Sequence, residues 1–324
     1  MKRAPLLIGL SALVALLFLA SLMAGKVWVP LGSWWLEGDP RWLIVSELRL
    51  PRALLGVGIG AALGLSGAVL QGYLRNPLAD PAVVGISSSG ALGAVAAILL
   101  LSATSPLLVF ACAMAAACGA MLLLAALAWH THSAVAFILA GTVLASIAGA
   151  LTSFLISIAP NPWATAEIID WIMGSLTDRS FDEATLALPF IAIGCGLLLC
   201  TGRALDALTL GEDAARTMGL NLRQTQMLVV LGTGLSVGAS VAVTGVVGFV
   251  GLIVPHLLRP LVGARPSALL VPSALGGAVL VLAADSLVRL APGASEIRLG
   301  VAMALIGTPF FFALLLRMRR SAWI

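Results

Sequence analysis

Glu212, Asp213 and Arg216 lie within the stretch LTLGEDAARTMGLNL (208–222), flanked by Arg203, Asp206 and Arg223. This is the largest charged island between two apolar segments in a chain that is 60% hydrophobic and 10% charged. Both signs of charge stand side by side, which suits recognition of a complementary protein surface rather than bond chemistry. Catalytic patterns are missing elsewhere. No GxxxxGK followed by Ser or Thr occurs, so phosphates cannot be cradled by that route, and there is no H-E-x-x-H or Ser/His/Asp arrangement at membrane depth. Cys112, Cys118, Cys195 and Cys200 fall inside apolar runs without metal-ligand spacing and read as small buried hydrophobes, so no metal site is expected. Asp285 and His256 are the ionisable residues nearest to mid-span, and both sit close to predicted span ends. That argues against an ion relay, and His256 reads as structural.

The elements that must position the island follow from hydropathy. A mean hydropathy of +1.10 over 324 residues marks an all-α polytopic membrane protein. The net charge of +4 is no sign of nucleic-acid affinity; its distribution across the bilayer matters more. At about 20 apolar residues per crossing, ten spans are predicted: roughly 6–25, 53–73, 82–101, 107–129, 134–158, 184–201, 225–245, 247–261, 268–288 and 299–316. The first follows Lys2 and Arg3 and is expected to be retained, because its apolar run is long for a leader and no clear cleavage site follows. With the N-terminus in the cytoplasm, eleven of the 18 basic residues and four of the 14 acidic residues fall inside. The excess of Lys and Arg inside obeys the positive-inside rule, so both termini and the 203–223 loop are predicted to be cytoplasmic. The island cannot lie in hydrocarbon, where unsatisfied backbone and charge cost several kcal/mol. It reads as one or two short helical turns punctuated by Gly211 and Gly219.

Two outer segments have substance. Residues 26–49 carry Trp28, Trp34, Trp35 and Trp42, an interfacial aromatic belt. Within 160–183, TAEIIDWIMGSL predicts a short amphipathic helix at the outer surface. An internal echo is present: Gly60 and Gly64 of span two recur at one offset as Gly234 and Gly238 of span seven. Five spans separate the two copies, so they run in opposite directions, a weak inverted repeat of spans 2–5 and 7–10. Each copy is followed by a Pro- or Gly-broken stretch, RNPLADPAVVGISSSG (75–90) and TGVVGFVGLIVPHLLR (244–259), and paired broken segments point to a transport path. Ser87, Ser88, Ser89, Thr142, Thr244, Met303 and Thr308 could line it and would suit a large, partly apolar solute held without tight binding; close helix packing explains the same small residues equally well.

Four blocks carry a resemblance: RLPRALLGVGIGAALGLSGAVLQGYLRNPLADPAVVGISSSGA, LGEDAARTMGL, GVVGFVGLIVPHLLR and EIRLGVAMALIGTPFFF. Together, in this order, they resemble the FecCD/BtuC-like permease subunits of type II ABC importers, which take up ferric siderophores, haem and vitamin B12. The resemblance implies one transmembrane permease domain over 1–324 in the bacterial cytoplasmic (inner) membrane, assembled as a homodimer of ten-helix subunits. It implies two cytoplasmic ABC ATPase subunits below and a substrate-binding protein outside, with ATP and Mg held by the ATPase and no cofactor on this chain. By position, Gly211, Glu212, Ala215, Arg216 and Gly219 match the ATPase-coupling element, and Arg49, Arg52 and Arg289 match arginines that dock the binding protein. The topology puts these three arginines outside, on a face whose net charge is negative. The tract at about 166–177, with Trp171 and Met173, is similar to an outer gate helix. The path is expected between spans five and ten, with Thr142, Ser146, Met303 and Thr308, and the 130–135 loop with His132 stands at the inner gate.

Two departures stand out. Arg298 in EIRLG replaces a more usual proline and adds a cation at the outer mouth. His130 and His132 replace a small hydroxyl pair of the B12 branch. The expected activity is ATP-driven import of a metal chelate, a ferric siderophore or haem, by alternating access, not an enzyme in its own right. Cobalamin import by the same machinery is the alternative, and an ion-coupled carrier is the rival from another class.

Overall fold

Inside hydrocarbon a backbone must satisfy its own hydrogen bonds, and the helix does this within one segment. A computed structural model describes residues 3–35, 39–82, 84–101, 105–128, 134–263, 265–292 and 296–321, and among these there is no strand. The helices are α1 (Arg3–Met23), α2 (Pro40–Leu43), α3 (Leu50–Tyr73), α4 (Ile86–Leu100), α5 (Pro106–Ala128), α6 (Ala134–Ser157), α7 (Pro162–Ile172), α8 (Phe181–Leu199), α9 (Gly202–Leu208), α10 (Glu212–Thr217), α11 (Leu222–Thr244), α12 (Val250–Val262), α13 (Pro266–Leu290) and α14 (Leu299–Ser321). A π-turn over Ile44–Arg49 leads into α3.

Helix starts are written locally. Asn161 and Asn221 accept from the backbone N–H groups of Ala164 (2.9 Å) and Gln224 (3.1 Å), which caps α7 and α11. Ser180 and Glu183 form a reciprocal capping box on α8.

Among the described residues, seven helices are long and apolar enough to cross a bilayer; Ile86–Leu100, Val250–Val262 and Leu299–Leu314 are shorter apolar helices. The third, eighth and tenth of the expected spans fall on these shorter helices. The 13 residues of α12 rise only about 20 Å against ~30 Å of hydrocarbon. The missing length is irregular chain at 74–82, 84–85 and 245–249, a conformation tolerated at membrane depth only when walled by protein. The two breaks match in detail. α4 and α12 each begin after a residue with left-handed backbone, Gly85 (φ 86) and Phe249 (φ 68).

The centre is built from α3, α11 and α13, which are mostly buried. Gly60 and Gly64 of α3 meet the backbone of Ser273 and Gly277 in α13, where a Cβ on either would strike it. Gly234 and Gly238 of α11 lie instead against Met114, Ala117, Cys118 and Met121 of α5. The glycine echo thus packs against span nine in one half and span four in the other, the pairing an inverted repeat requires. α6 and α14 remain peripheral. Leu139, Val143, Ile147, Leu151 and Phe154 form one exposed apolar stripe on α6, and Val301, Leu305, Ile306 and Phe312 are exposed on α14.

Candidate functional site

Three regions collect the residues singled out from the sequence: the inner loop, the outer charge cluster and the cavity between α6 and α14.

The island folds as two short helices, α9 and α10. Gly211 (φ 101) and Gly219 (φ 80) bracket α10 in backbone conformations that an L side chain resists. Ala215 is fully buried and pins α10 to the bundle, while Asp213 and Arg216 are exposed. Glu212 lies 3.8 Å from Arg75 of the first broken stretch. Leu210 and Met218 are 69% and 61% exposed on either side of α10. The element therefore presents two apolar knobs flanking charges of both signs. Asp206 fixes its base by accepting from the Ser267 backbone N–H and hydroxyl (2.9 and 2.6 Å).

Behind this loop, Asp80 is buried. Its Oδ1 accepts from the Ala82 N–H (2.8 Å), and its Oδ2 is buried beside Gly251 of α12 with no hydrogen-bond partner among the described residues.

Arg49, Arg52 and Arg289, the arginines expected to dock a binding protein, are buried and engaged within the chain. Arg52 grips Asp285 with two nitrogens (Nε 3.0 Å, Nη2 2.8 Å) and donates to Glu296 (2.9 Å). Arg289 pairs with Asp285 (3.1 Å) and donates to the Ala24 carbonyl (3.1 Å) and the Ser21 hydroxyl (2.5 Å). Arg49 donates to the carbonyls of Leu22 (2.9 Å), Met23 (3.1 Å) and Val27 (2.6 Å). Two of the three arginines thus close the carbonyl end of α1, whose last groups have no partner of their own. Glu296 also accepts from the Thr177 hydroxyl (3.0 Å). Burial alone would raise its pKa, but Arg52 and these hydrogen bonds outweigh it and hold it below the usual carboxylate range.

A cavity of about 540 Å³ lies between α6, α14 and the end of α7. Its walls include Ser88 from α4, Thr152 and Ser153 from α6, Met173 after α7, and Gly300 and Val301 from α14, with no charged side chain. Met173 borders it together with residues of α6 and α14, and other residues expected to line the path do not. Met303 is fully buried in the core. Thr142 and Ser146 return their hydroxyls to the α6 backbone (both 2.8 Å) and Thr308 is exposed lower on α14; none of the three borders this cavity. Trp171 borders a different cavity. His132, with His130, lies outside the described residues. His256 stacks edge-on against Phe310 of α14 (5.8 Å).

The short outer helix runs Pro162–Ile172, earlier than the expected 166–177, because Gly174 turns the chain at φ 73. Gly174, Gly245 and Gly300 form a junction in which backbone meets backbone: Gly300 N–H donates to the Gly174 carbonyl (3.1 Å) and Ser175 N–H to that of Thr244 (2.8 Å). Arg298 is ion-paired to Asp170 of α7, its Nε 3.2 Å from Oδ1. Sequence reasoning missed the roles of Glu296 and Asp170. The signal for Asp285 was present, an acid four residues before Arg289 on one helix.

The family model of the FecCD transport family matches residues 13–317. The chain is 36% identical to the hemin transport system permease protein HmuU of Yersinia pestis, over 95% of this chain and 94% of that protein. It is 38% identical to the vitamin B12 import system permease protein BtuC of Shigella boydii, over 97% and 95% of the two chains. A solved structure described as an inward-facing conformation of a transporter assigned to the metal-chelate ABC type superposes with a TM-score of 0.86 at 32% identity, covering 97% of this chain and 99% of that one.

Proposed function

The chain belongs to the FecCD transport family and is an ABC importer permease; from this premise we propose that it imports a metal chelate, a ferric siderophore or haem, as one half of a homodimer. The observation that carries the reading is the cavity of about 540 Å³ at the outer end of α6 and α14, beside their exposed apolar faces. A second copy laid against those faces would enclose the cavity at a shared axis and remove large apolar side chains from lipid contact. The wall of small hydroxyl and apolar groups suits a bulky chelate that must be released rather than retained.

In this reading ten bilayer crossings include the three shorter helices, and both termini are cytoplasmic. Two ATPase subunits, which bind ATP and Mg, press on Leu210, Met218 and the α10 charges; their closure swings the loop and alternately opens the inner and outer ends of the path. A substrate-binding protein docks outside and does much of the selecting. Arg49, Arg52 and Arg289 serve that docking by shaping the outer mouth from within rather than by reaching out.

Cobalamin is the second reading, favoured by the similarity to BtuC over nearly the whole chain. Uptake into proteoliposomes holding the permease, its ATPase and its binding protein tests both. ATP-dependent accumulation of a ferric chelate or haem is expected. Cobalamin uptake alone would transfer the assignment, and uptake driven by an ion gradient without ATP would overturn the ABC reading for this chain.

A further inference from the structure

Helix α7 stands between two spaces of nearly equal size. Ile172 and Met173 wall the first, the cavity of about 540 Å³ shared with α6 and α14. Ala164, Glu167 and Trp171 wall the second, about 530 Å³, across from Phe110, Arg179 and Leu186. The transport path has no use for this second space, yet it holds a cation poorly served by its neighbours. Arg179 Nε is buried without a hydrogen-bond partner. Its nearest carboxylate, Glu183, is 3.7 Å away and committed to capping α8 through Ser180. Burial pushes the Arg179 pKa down, which Glu183 and Asp178 only oppose.

The attachment of α7 is uneven. Its C-terminal end is locked into the glycine junction with α11 and α14. Its middle rests on one fully buried side chain, Ile168, against Val95 and Leu155. Its N-terminal end is exposed, with Trp163 84% accessible. The side-chain strap to α14 is Asp170–Arg298, a pair half open to water and of the kind that is readily exchanged. Glu167 and Asp170 are three residues apart, so they project about 60° from one another around the helix. A modest roll of α7 about its fixed end and Ile168 exchanges one acid for the other.

We propose that α7 is a two-position element set by two competing ion pairs: Asp170–Arg298, made here, and Glu167–Arg179, made when α7 rolls into the second cavity and uncovers the first. The four side chains are then positioning residues for transport. The consequence for transport rests on the importer reading; the movement itself does not.

The test uses the full-length chain in proteoliposomes, with Cys112, Cys118, Cys195 and Cys200 replaced by alanine and Thr152→Cys as reporter in the first cavity. The rate of labelling by a membrane-impermeant maleimide added from the outer side is read. Arg298→Gln and, separately, Asp170→Asn each label about two- to fivefold faster, the range an exposed ion pair supports. Exchanging the pair, Asp170→Arg with Arg298→Asp, returns the rate to that of the parent. Adding Arg179→Gln to Arg298→Gln cancels the increase, which a loosened fold would not do. Parental labelling in both single variants, failure of the exchange to restore the rate, or an increase that survives Arg179→Gln would each overturn the proposal. If the labelling pattern appears while the unmodified permease shows no ATP-driven uptake, the importer reading fails and the two-position element stands.

Discussion

Charges around Arg52 and Asp285 face one another, whereas charges on the loop between α8 and α11 face water. Arg52, Asp285, Arg289 and Glu296 form one linked cluster in which each cation meets an acid at 2.8–3.1 Å. Asp213 and Arg216 on α10 stand exposed beside Leu210 and Met218. In sequence the two sets look alike, since each is a handful of charged residues beside an apolar span. Their depth separates them. A charge moved out of water must be paired, and an arginine that has used its nitrogens on Asp285 and a helix end has few left for a partner protein. The Arg52–Asp285 cluster therefore holds α1, α3, α13 and the leader of α14 together, and the charges of α10 are left to water.

If that division is right, the outer substitutions should act on stability and the inner ones on coupling. The largest effect is expected for Asp285→Ala, which leaves Arg52 and Arg289 buried without their shared counter-charge. A loss of about 3–5 kcal/mol is expected, read as a fall in the thermal unfolding temperature of the detergent-solubilised permease. An unchanged unfolding temperature would dissolve the contrast. Glu296→Gln is milder, because that carboxylate is partly open to solvent; about 1 kcal/mol is expected.

The Glu296 effect should also depend on pH. Its folded pKa lies below the ordinary carboxylate value, so its contribution is present above that range and is lost as pH falls through the folded pKa. Glu296→Gln should remove that dependence; unfolding of the variant across pH 4 to 8 checks the sign. The smallest stability effect belongs to Arg216→Glu, within about 0.5 kcal/mol for an exposed site. Transport per ATP hydrolysed should nonetheless collapse in the assembled complex. A variant that transports normally would take α10 out of the coupling reading.

Much of the fold was legible because its signals are local. Hydropathy placed the long helices, Gly211 and Gly219 marked real turns of the inner loop, and Pro- and Gly-rich stretches marked the breaks before α4 and α12. What could not be read depends on rotation and distance. Whether Met303 faces the cavity or the core is a matter of helix phase, and α14 is apolar on nearly every side. Trp171 and Met173 are two residues apart and lie on opposite walls of the short helix's end. Arg52 and Asp285 are 233 residues apart, so no spacing rule joins them. The net negative outer face made three arginines look available, and nothing in composition reports that they are buried.

The closure of α1 bears on how the protein is made. Arg49 reaches the Leu22 and Met23 carbonyls from at most 27 residues away, whereas the Ala24 carbonyl is met by Arg289, 265 residues later. At ~5–20 residues per second of synthesis, the second of these fastenings follows the first helix by roughly ten to fifty seconds. A ribosome stalled before Arg289 would therefore leave the first helix held by Arg49 alone.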